Sequence, residues 1–230
     1  MAKELHPMCA KCPTTVCGSA TRTEDNTAAD AVPSFCPTKC MPEVVEKALN
    51  EYDEPTVKEF ARLASLQEFE CYEQLPDGRR PKNPRILELI EFARKCGYKR
   101  LGLAFCAGLK NEGRILTDIL ENNGFEVISV RCKVSATDKE KIGIKPEEKI
   151  GGPGRHESMC NPIAQAEILN AENVDLAIML GLCIGHDTLF IKYCRVPLTV
   201  IAVKDRVTGH NPLAVLYTSN SYYRRLMAEA

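Results

Sequence analysis

Twelve cysteines against four histidines in 230 residues are what this sequence offers for chemistry. Thiolates bind soft metals, exchange disulfides or act as nucleophiles, and spacing and compartment decide among these. Five of the cysteines fall before residue 41. Cys9-x2-Cys12-x4-Cys17 is a tight run, and Cys36-x3-Cys40 follows after a gap. Two residues between thiolates let both face one ion across a turn. Zinc sites usually continue with a second C-x2-C or a His pair, whereas a third Cys five residues on is more typical of an iron–sulfur run. Cys9, Cys12 and Cys17 are therefore expected to bind one cluster, with Cys36 as fourth ligand. Cys36 precedes Pro37, as in the Cys-Pro that ends ferredoxin-type runs. Cys40 is the alternative fourth ligand. The stretch 18–34 has almost no hydrophobic periodicity, so a metal would have to fix its conformation.

A second set of thiols is dispersed, and only a fold could gather it. The stretch 100–105 is a short apolar run, 112–123 has a helical pattern broken by Gly124, and 125–130 is a second strand. A polar, Lys- and Gly-rich segment follows. After it come a helix over 161–170, a strand over 174–180, a helix over 186–193 and a strand over 198–203. A last helix is expected over 222–230. Alternation of this kind implies βαβ units and a parallel sheet. Right-handed crossovers give the strand order 2-1-3-4, a half-Rossmann-like α/β architecture. Cys106, Cys132 and Cys183 then follow three strands at the carboxyl edge, where open α/β folds bind ligands. Neighbouring strands are roughly 4.8 Å apart, so their thiols can converge. Cys160, just before the crossover helix, reaches the same edge. Four thiolates suit a [4Fe-4S] cubane or a tetrahedral zinc.

The rival ligand at that edge is a nucleotide. The G-x-G-x-x-G fingerprint is absent after the first strand, where Phe105-Cys106-Ala107-Gly108-Leu109-Lys110 stands, and there is no Walker sequence. His186 and Asp187 open the helix after Cys183, as a proton or hydrogen-bond donor near the site or as a cap and a packed ring. His156 and Glu157 precede Cys160. Lys204, Asp205, Arg206 and His210 follow the fourth strand, as solvated charges, substrate ligands or loop ties. Cys71, Cys96 and Cys194 are expected to pack, with Cys71 the candidate for an extra ligand.

The first half reads as a Cys-rich helical region. Helices are expected over 42–52 and 55–72, a turn at Leu75-Pro76-Asp77-Gly78, and a third helix capped by Asn83 with Pro84 at its first position and Gly97 beyond its end. The expected division is 1–97, Cys-rich and helical, and 98–230, the Rossmann-like domain with the second Cys site. A net charge of -1 gives no electrostatic reason to expect nucleic acid. No apolar run approaches the roughly 20 residues that span a bilayer, and the start lacks a secretion-signal core. The expectation is a cytoplasmic protein with no membrane partner, in which stable disulfides are rare and dense cysteines point to metal. Disulfides would require an export route.

Cys9-Ala10-Lys11-Cys12, Gly102-Leu103-Ala104-Phe105-Cys106, Met159-Cys160-Asn161-Pro162-Ile163-Ala164-Gln165-Ala166 and Gly181-Leu182-Cys183-Ile184-Gly185-His186-Asp187 also resemble a known pattern. So does Val203-Lys204-Asp205-Arg206 with His210-Asn211-Pro212. Together they are similar to a family of uncharacterised metal-binding proteins with about twelve cysteines, a domain of unknown function of anaerobic bacteria and archaea, over nearly the whole chain. The resemblance implies metal binding without an assigned reaction, and an anaerobic setting favours iron–sulfur over zinc. The leading expectation is two iron–sulfur clusters passing electrons to a redox partner protein or a small-molecule acceptor. The alternatives are an enzyme acting on a small substrate at the sheet-edge cluster, assisted by His186, Lys204 or Asp205, and a zinc-stabilised binding or regulatory module. A homo-oligomer is compatible with the sequence.

Overall fold

The computed structural model describes residues 6–13, 17 and 32–228, which form two compact units, 1–66 and 67–230. In the first unit a 3-10 turn, Cys9–Lys11, precedes three helices: α1 (Pro37–Cys40), α2 (Pro42–Asn50) and α3 (Pro55–Glu70), the last running into the second unit. Prolines at the first positions of α1 and α2 fit helix starts, where a backbone N–H would have no partner. No described residue of the first unit is buried. Most of the stretch 18–34, expected to depend on a metal, lies outside the described residues.

The second unit begins with a hairpin, β1 (Tyr72–Leu75) and β2 (Gly78–Pro81), closed by the expected turn at Pro76-Asp77. The flanking strands have little apolar alternation and were not legible in the sequence. Helix α4 (Arg85–Lys95) follows and ends at Gly97, whose φ of 72° is the left-handed conformation of a helix C-cap. Asn83 does not cap it. Pro84 is extended and takes the cap position, and the Asn83 Nδ2 donates to Glu91 Oε2 at 2.7 Å instead.

The sheet contains β3 (Arg100–Phe105), β4 (Glu126–Arg131), β5 (Leu176–Leu180) and β6 (Leu198–Ala202), all parallel, in the order β4-β3-β5-β6. Counted within the sheet, this is the expected 2-1-3-4. The two central strands are covered on both faces, so Leu101, Leu103 and Ala104 are buried in β3 and every residue is buried in β5. Helix α5 (Lys110–Asn122) connects β3 to β4, α6 (Pro162–Ala171) connects β4 to β5, and α7 (His186–Tyr193) connects β5 to β6. The first crossover moves in one direction and the next two move back, so right-handedness puts α5 on one face and α6 with α7 on the other. Gly113, Leu116 and Leu120 bury one stripe of α5, and Ala166 and Leu169 bury one of α6. Each fully buried leucine contributes ~2 kcal/mol.

The closing helix expected over 222–230 is not formed among the described residues. A short helix α8 (Leu213–Tyr217) and a 3-10 turn, Arg224–Met227, stand there. Tyr222, Leu226 and Met227 are exposed, so no buried apolar stripe holds a longer helix together.

Gly181, just after β5, has a φ of 70°, and a Cβ there would press on Leu109 Cδ1. The left-handed backbone demands glycine, and a side chain there would also push the Leu109 methyl aside. The Gly181→Ala variant is expected to lose ~1–3 kcal/mol of stability in urea unfolding. A loss under about 0.5 kcal/mol, the range of neutral surface substitutions, would contradict this account of the turn.

Candidate metal centre

The sulfur positions at the carboxyl edge follow from strand register. Phe105 pairs with Arg131, so Cys106 and Cys132 leave neighbouring strands side by side. The Cys132 N–H donates to Phe105 O at 2.9 Å, and the Cys106 N–H donates to Leu180 O at 3.2 Å. Gln165 of α6, fully buried, donates through Nε2 to Val130 O at 2.7 Å and Phe105 O at 3.3 Å. One side chain thus fastens the ends of β3 and β4 together. Cys160 arrives on the loop before α6. Asn161 accepts from the Ala164 N–H to cap that helix, and its own N–H donates to Cys132 O at 2.8 Å.

The result is a line of contacts through Cys132. Its Sγ lies 3.9 Å from that of Cys160 in a thiol hydrogen bond, and it accepts from the Ala107 N–H at 3.2 Å. Cys106 shares a hydrogen bond with Cys132 on the other side. That bond, the Gly108 backbone and the Lys204 ammonium bring the Cys106 thiol down to about 5 against the opposing effect of burial. Cys160 is brought down to about 4, first by Cys132 and then by His186. Cys132, hydrogen-bonded to both neighbours and desolvated, is raised and keeps its proton. His186 is raised in turn, above all by the Cys160 sulfur beside it. Its Nδ1 is buried without a hydrogen-bond partner.

Cations surround these sulfurs. A Cβ on Gly108 would stand 3.1 Å from Lys204 Nζ and 3.9 Å from Cys106 Sγ, so glycine leaves the room that ammonium and thiol share. A guanidinium N–H of Arg206 donates to Cys183 Sγ at 3.2 Å. Asp205 does not face the thiols: its Oδ1 accepts from the N–H groups of Val207 and Thr208, fixing the turn that presents Arg206. Of the readings open for these charges, Asp205 is a loop tie and Arg206 a sulfur donor. Asp187 accepts from the Thr188 N–H at the start of α7.

The segment from Cys132 to Cys160 carries an organising cation that the sequence does not advertise. Lys149, with a side chain 4% exposed, donates to Asp138 Oδ1 and Glu140 Oε1 at 2.8 Å each and to Arg155 O at 3.2 Å. Lys149 holds the Asp138 carboxyl well below the usual range. Asp138 also pairs across a β-bridge with Ser158, two residues before Cys160. His156 and Glu157 serve this loop: His156 Nδ1 lies 3.0 Å from Asp138 Oδ2, and Glu157 pairs with Lys139. Lys133, next to Cys132, donates to Ser158 O and adds positive charge near Cys160. Within a Lys-rich stretch, nothing but its place beside a cysteine could have singled it out.

Cys106, Cys132 and Cys160 are thus brought together, while Cys183 stands in hydrogen-bond contact with Arg206. As the side chains stand, no group of three or more His, Cys, Asp or Glu among the described residues encloses a point where an ion would sit. The donor set nevertheless fits a thiophilic metal: two thiols depressed far below their ordinary range and an imidazole nitrogen with no partner. In the first unit, the Cys12 N–H donates to Cys9 O at 3.1 Å, and Cys40 lies one turn after Cys36, its N–H on Cys36 O at 2.9 Å. Cys17 is exposed. Cys9, Cys12, Cys17 and Cys36 form no ligand group among the described residues, and neither does Cys40. Cys71 is buried against Gln67, and Cys194 points its sulfur at Val196 O and is raised by burial, in keeping with packing.

Residues 36–201 match the pattern of a family described as "Protein of unknown function (DUF1847)". The chain is also 42% identical over 190 residues to the "Uncharacterized protein MJ0455" of Methanocaldococcus jannaschii, covering 83% of this chain and 91% of that protein. Among the described residues, no helix is long and apolar enough to cross a membrane.

A lowered thiol remains thiolate as pH falls until that lower value is reached. Alkylation of Cys160 in metal-free protein, followed residue by residue by mass spectrometry, is expected to keep its rate from neutral pH until the pH nears 4. An ordinary thiol slows about tenfold per unit below about pH 8.5, and that behaviour at Cys160 would contradict the arrangement.

Proposed function

The chain belongs to the DUF1847 family of proteins of unknown function, and from that premise we propose that the carboxyl edge of its sheet is an iron–sulfur centre used in electron transfer. The ligands are Cys106, Cys132, Cys160 and Cys183. The observation that carries this reading is the convergence of Cys106 and Cys160 on Cys132, three thiols delivered by two strand ends and the loop before α6. Such a cluster supplies one-electron chemistry at a potential set by charge and by hydrogen bonds to sulfur.

This chain's own residues supply both influences. The Ala107 N–H and the Arg206 guanidinium donate to sulfurs, while Lys204 and Lys133 place positive charge beside them. Donors and cations of this kind favour the more negative, reduced state. Burial of Cys106 and Cys132 shields the site from water, and Cys160 and Cys183, only partly buried, mark the side through which a redox partner protein or small-molecule acceptor exchanges electrons. A second cluster on Cys9, Cys12, Cys17 and Cys36, with Cys40 as the alternative fourth ligand, belongs to the same reading. It would give the unburied first unit the metal that regions without a core rely on.

One observation favours a single zinc ion instead. Two thiolates on one tetrahedral zinc lie ~3.8 Å apart, from Zn–S bonds of about 2.3 Å. The Cys132–Cys160 separation is 3.9 Å. A cubane requires the thiols to spread.

Purified and reconstituted without oxygen, the protein is expected to be brown, to bleach with dithionite and to hold about four iron and four sulfide per cluster. Cys106→Ser, Cys132→Ser and Cys160→Ser should each lose the sheet-edge share, while Cys194→Ser keeps it. Colourless protein with zinc and no acid-labile sulfide would overturn the proposal. In the reconstituted protein, Arg206→Met is expected to move the reduction potential to a more negative value, measured by anaerobic redox titration. An unchanged potential would remove Arg206 from the account.

A further inference from the structure

We propose that in the metal-free protein Cys160 and Cys132 are a peroxide-reactive pair that closes into a disulfide and shuts the sheet edge to metal. The disulfide stands on the geometry alone, whereas its effect on metal uptake rests on the metal-centre reading.

The two sulfurs are 3.9 Å apart, and the Asn161 N–H on Cys132 O at 2.8 Å keeps the two backbones one hydrogen bond from each other. A disulfide needs the sulfurs at about 2.05 Å, so they must approach by roughly 2 Å, a side-chain rotation rather than a rearrangement. Their surroundings assign different roles. Cys160 is partly buried, on the loop before α6 with His186 and Lys133 beside it, and is the more open of the two thiols to a peroxide. Cys132 is 3% exposed and meets an oxidant only through its neighbour. A reachable cysteine with a buried resolving partner is the arrangement of redox-sensing thiols. Cys106 competes less well for Cys132. It is itself buried, and both leave paired strands whose register fixes their backbones, whereas Cys160 stands on a loop.

The chemistry balances in two steps. The Cys160 sulfur attacks one peroxide oxygen and the O–O bond breaks. The sulfur becomes a sulfenic acid, and the other oxygen leaves as water, or as an alcohol from an organic peroxide, after taking a proton. The Cys132 sulfur then attacks the Cys160 sulfur, the S–S bond forms and the S–O bond breaks, and hydroxide leaves as water with the Cys132 proton. Two thiols have lost two electrons to the peroxide. Exchange with a dithiol reverses the bond.

Full-length, reduced, metal-free protein treated with one equivalent of hydrogen peroxide and mapped by peptide mass spectrometry is expected to yield the Cys132–Cys160 link before any other. In Cys132→Ser, a sulfenic acid on Cys160 should be trapped by dimedone. In Cys160→Ser, no sulfenic acid should form on Cys132. A first link between Cys106 and Cys132, or no oxidation of Cys160, overturns the proposal. With Cys9, Cys12, Cys17, Cys36 and Cys40 all serine, so that only the sheet edge takes up iron, the oxidised protein should take up at least tenfold less iron on reconstitution than the reduced protein, and dithiothreitol should restore uptake. Equal uptake by the linked and reduced forms overturns the gating step while leaving the disulfide. If even reduced protein binds no metal, the metal-centre reading fails while the peptide map still decides the disulfide.

Discussion

The parallel register that sets Phe105 opposite Arg131 determines the chemistry of this protein. Because β3 and β4 end level, Cys106 and Cys132 emerge side by side, and Gln165 locks that alignment by bonding Val130 O and Phe105 O from α6. A slip of one residue would turn one of the two thiols to the other face of the sheet. Cys160 depends on the same alignment, since the Asn161 N–H is anchored on Cys132 O. Sulfurs separated by 26 and 28 residues along the chain are therefore placed by backbone hydrogen bonds before any side chain is chosen.

Electrostatics follows from that placement. Thiols this close cannot all behave as independent groups, and the middle one keeps its proton while its neighbours ionise. The surrounding positive charge comes from unrelated parts of the chain: Lys133 from the end of β4, His186 from the start of α7, Lys204 and Arg206 from the turn after β6. The carboxylates nearby are occupied elsewhere, Asp205 with backbone N–H groups and Asp138 with Lys149. What remains is a small region that favours negative charge on sulfur, whether that charge is free thiolate or bound to metal.

Much of this was legible in the sequence, for physical reasons. The central strands are continuous apolar runs because both faces are covered, and the breakers Gly97 and Gly124 stand where left-handed backbone is needed. That made the strand order and the sheet-edge positions of Cys106, Cys132 and Cys183 readable. What could not be read were features made by pairing rather than by period. The hairpin over 72–81 has few apolar residues to alternate. Lys149 is one lysine in a Lys-rich stretch until the fold encloses it, and Gln165 becomes a crosslink only when α6 lies on the sheet. Local preference points to Asn83 as the cap, yet Pro84 takes that place. That Cys183 meets the Arg206 guanidinium depends on a turn whose geometry no local pattern announces.

The most direct test of the central claim is X-ray absorption at the iron and zinc edges, on anaerobically prepared protein in which Cys9, Cys12, Cys17, Cys36 and Cys40 are all serine. Only the sheet edge can then supply the expected centre. The account requires an iron edge with a sulfur first shell and iron–iron scattering beyond it. A first shell of oxygen and nitrogen alone, or no bound metal, would contradict the claim that these thiols form a metal centre. A zinc edge with an all-sulfur shell would leave the site in place and replace its metal.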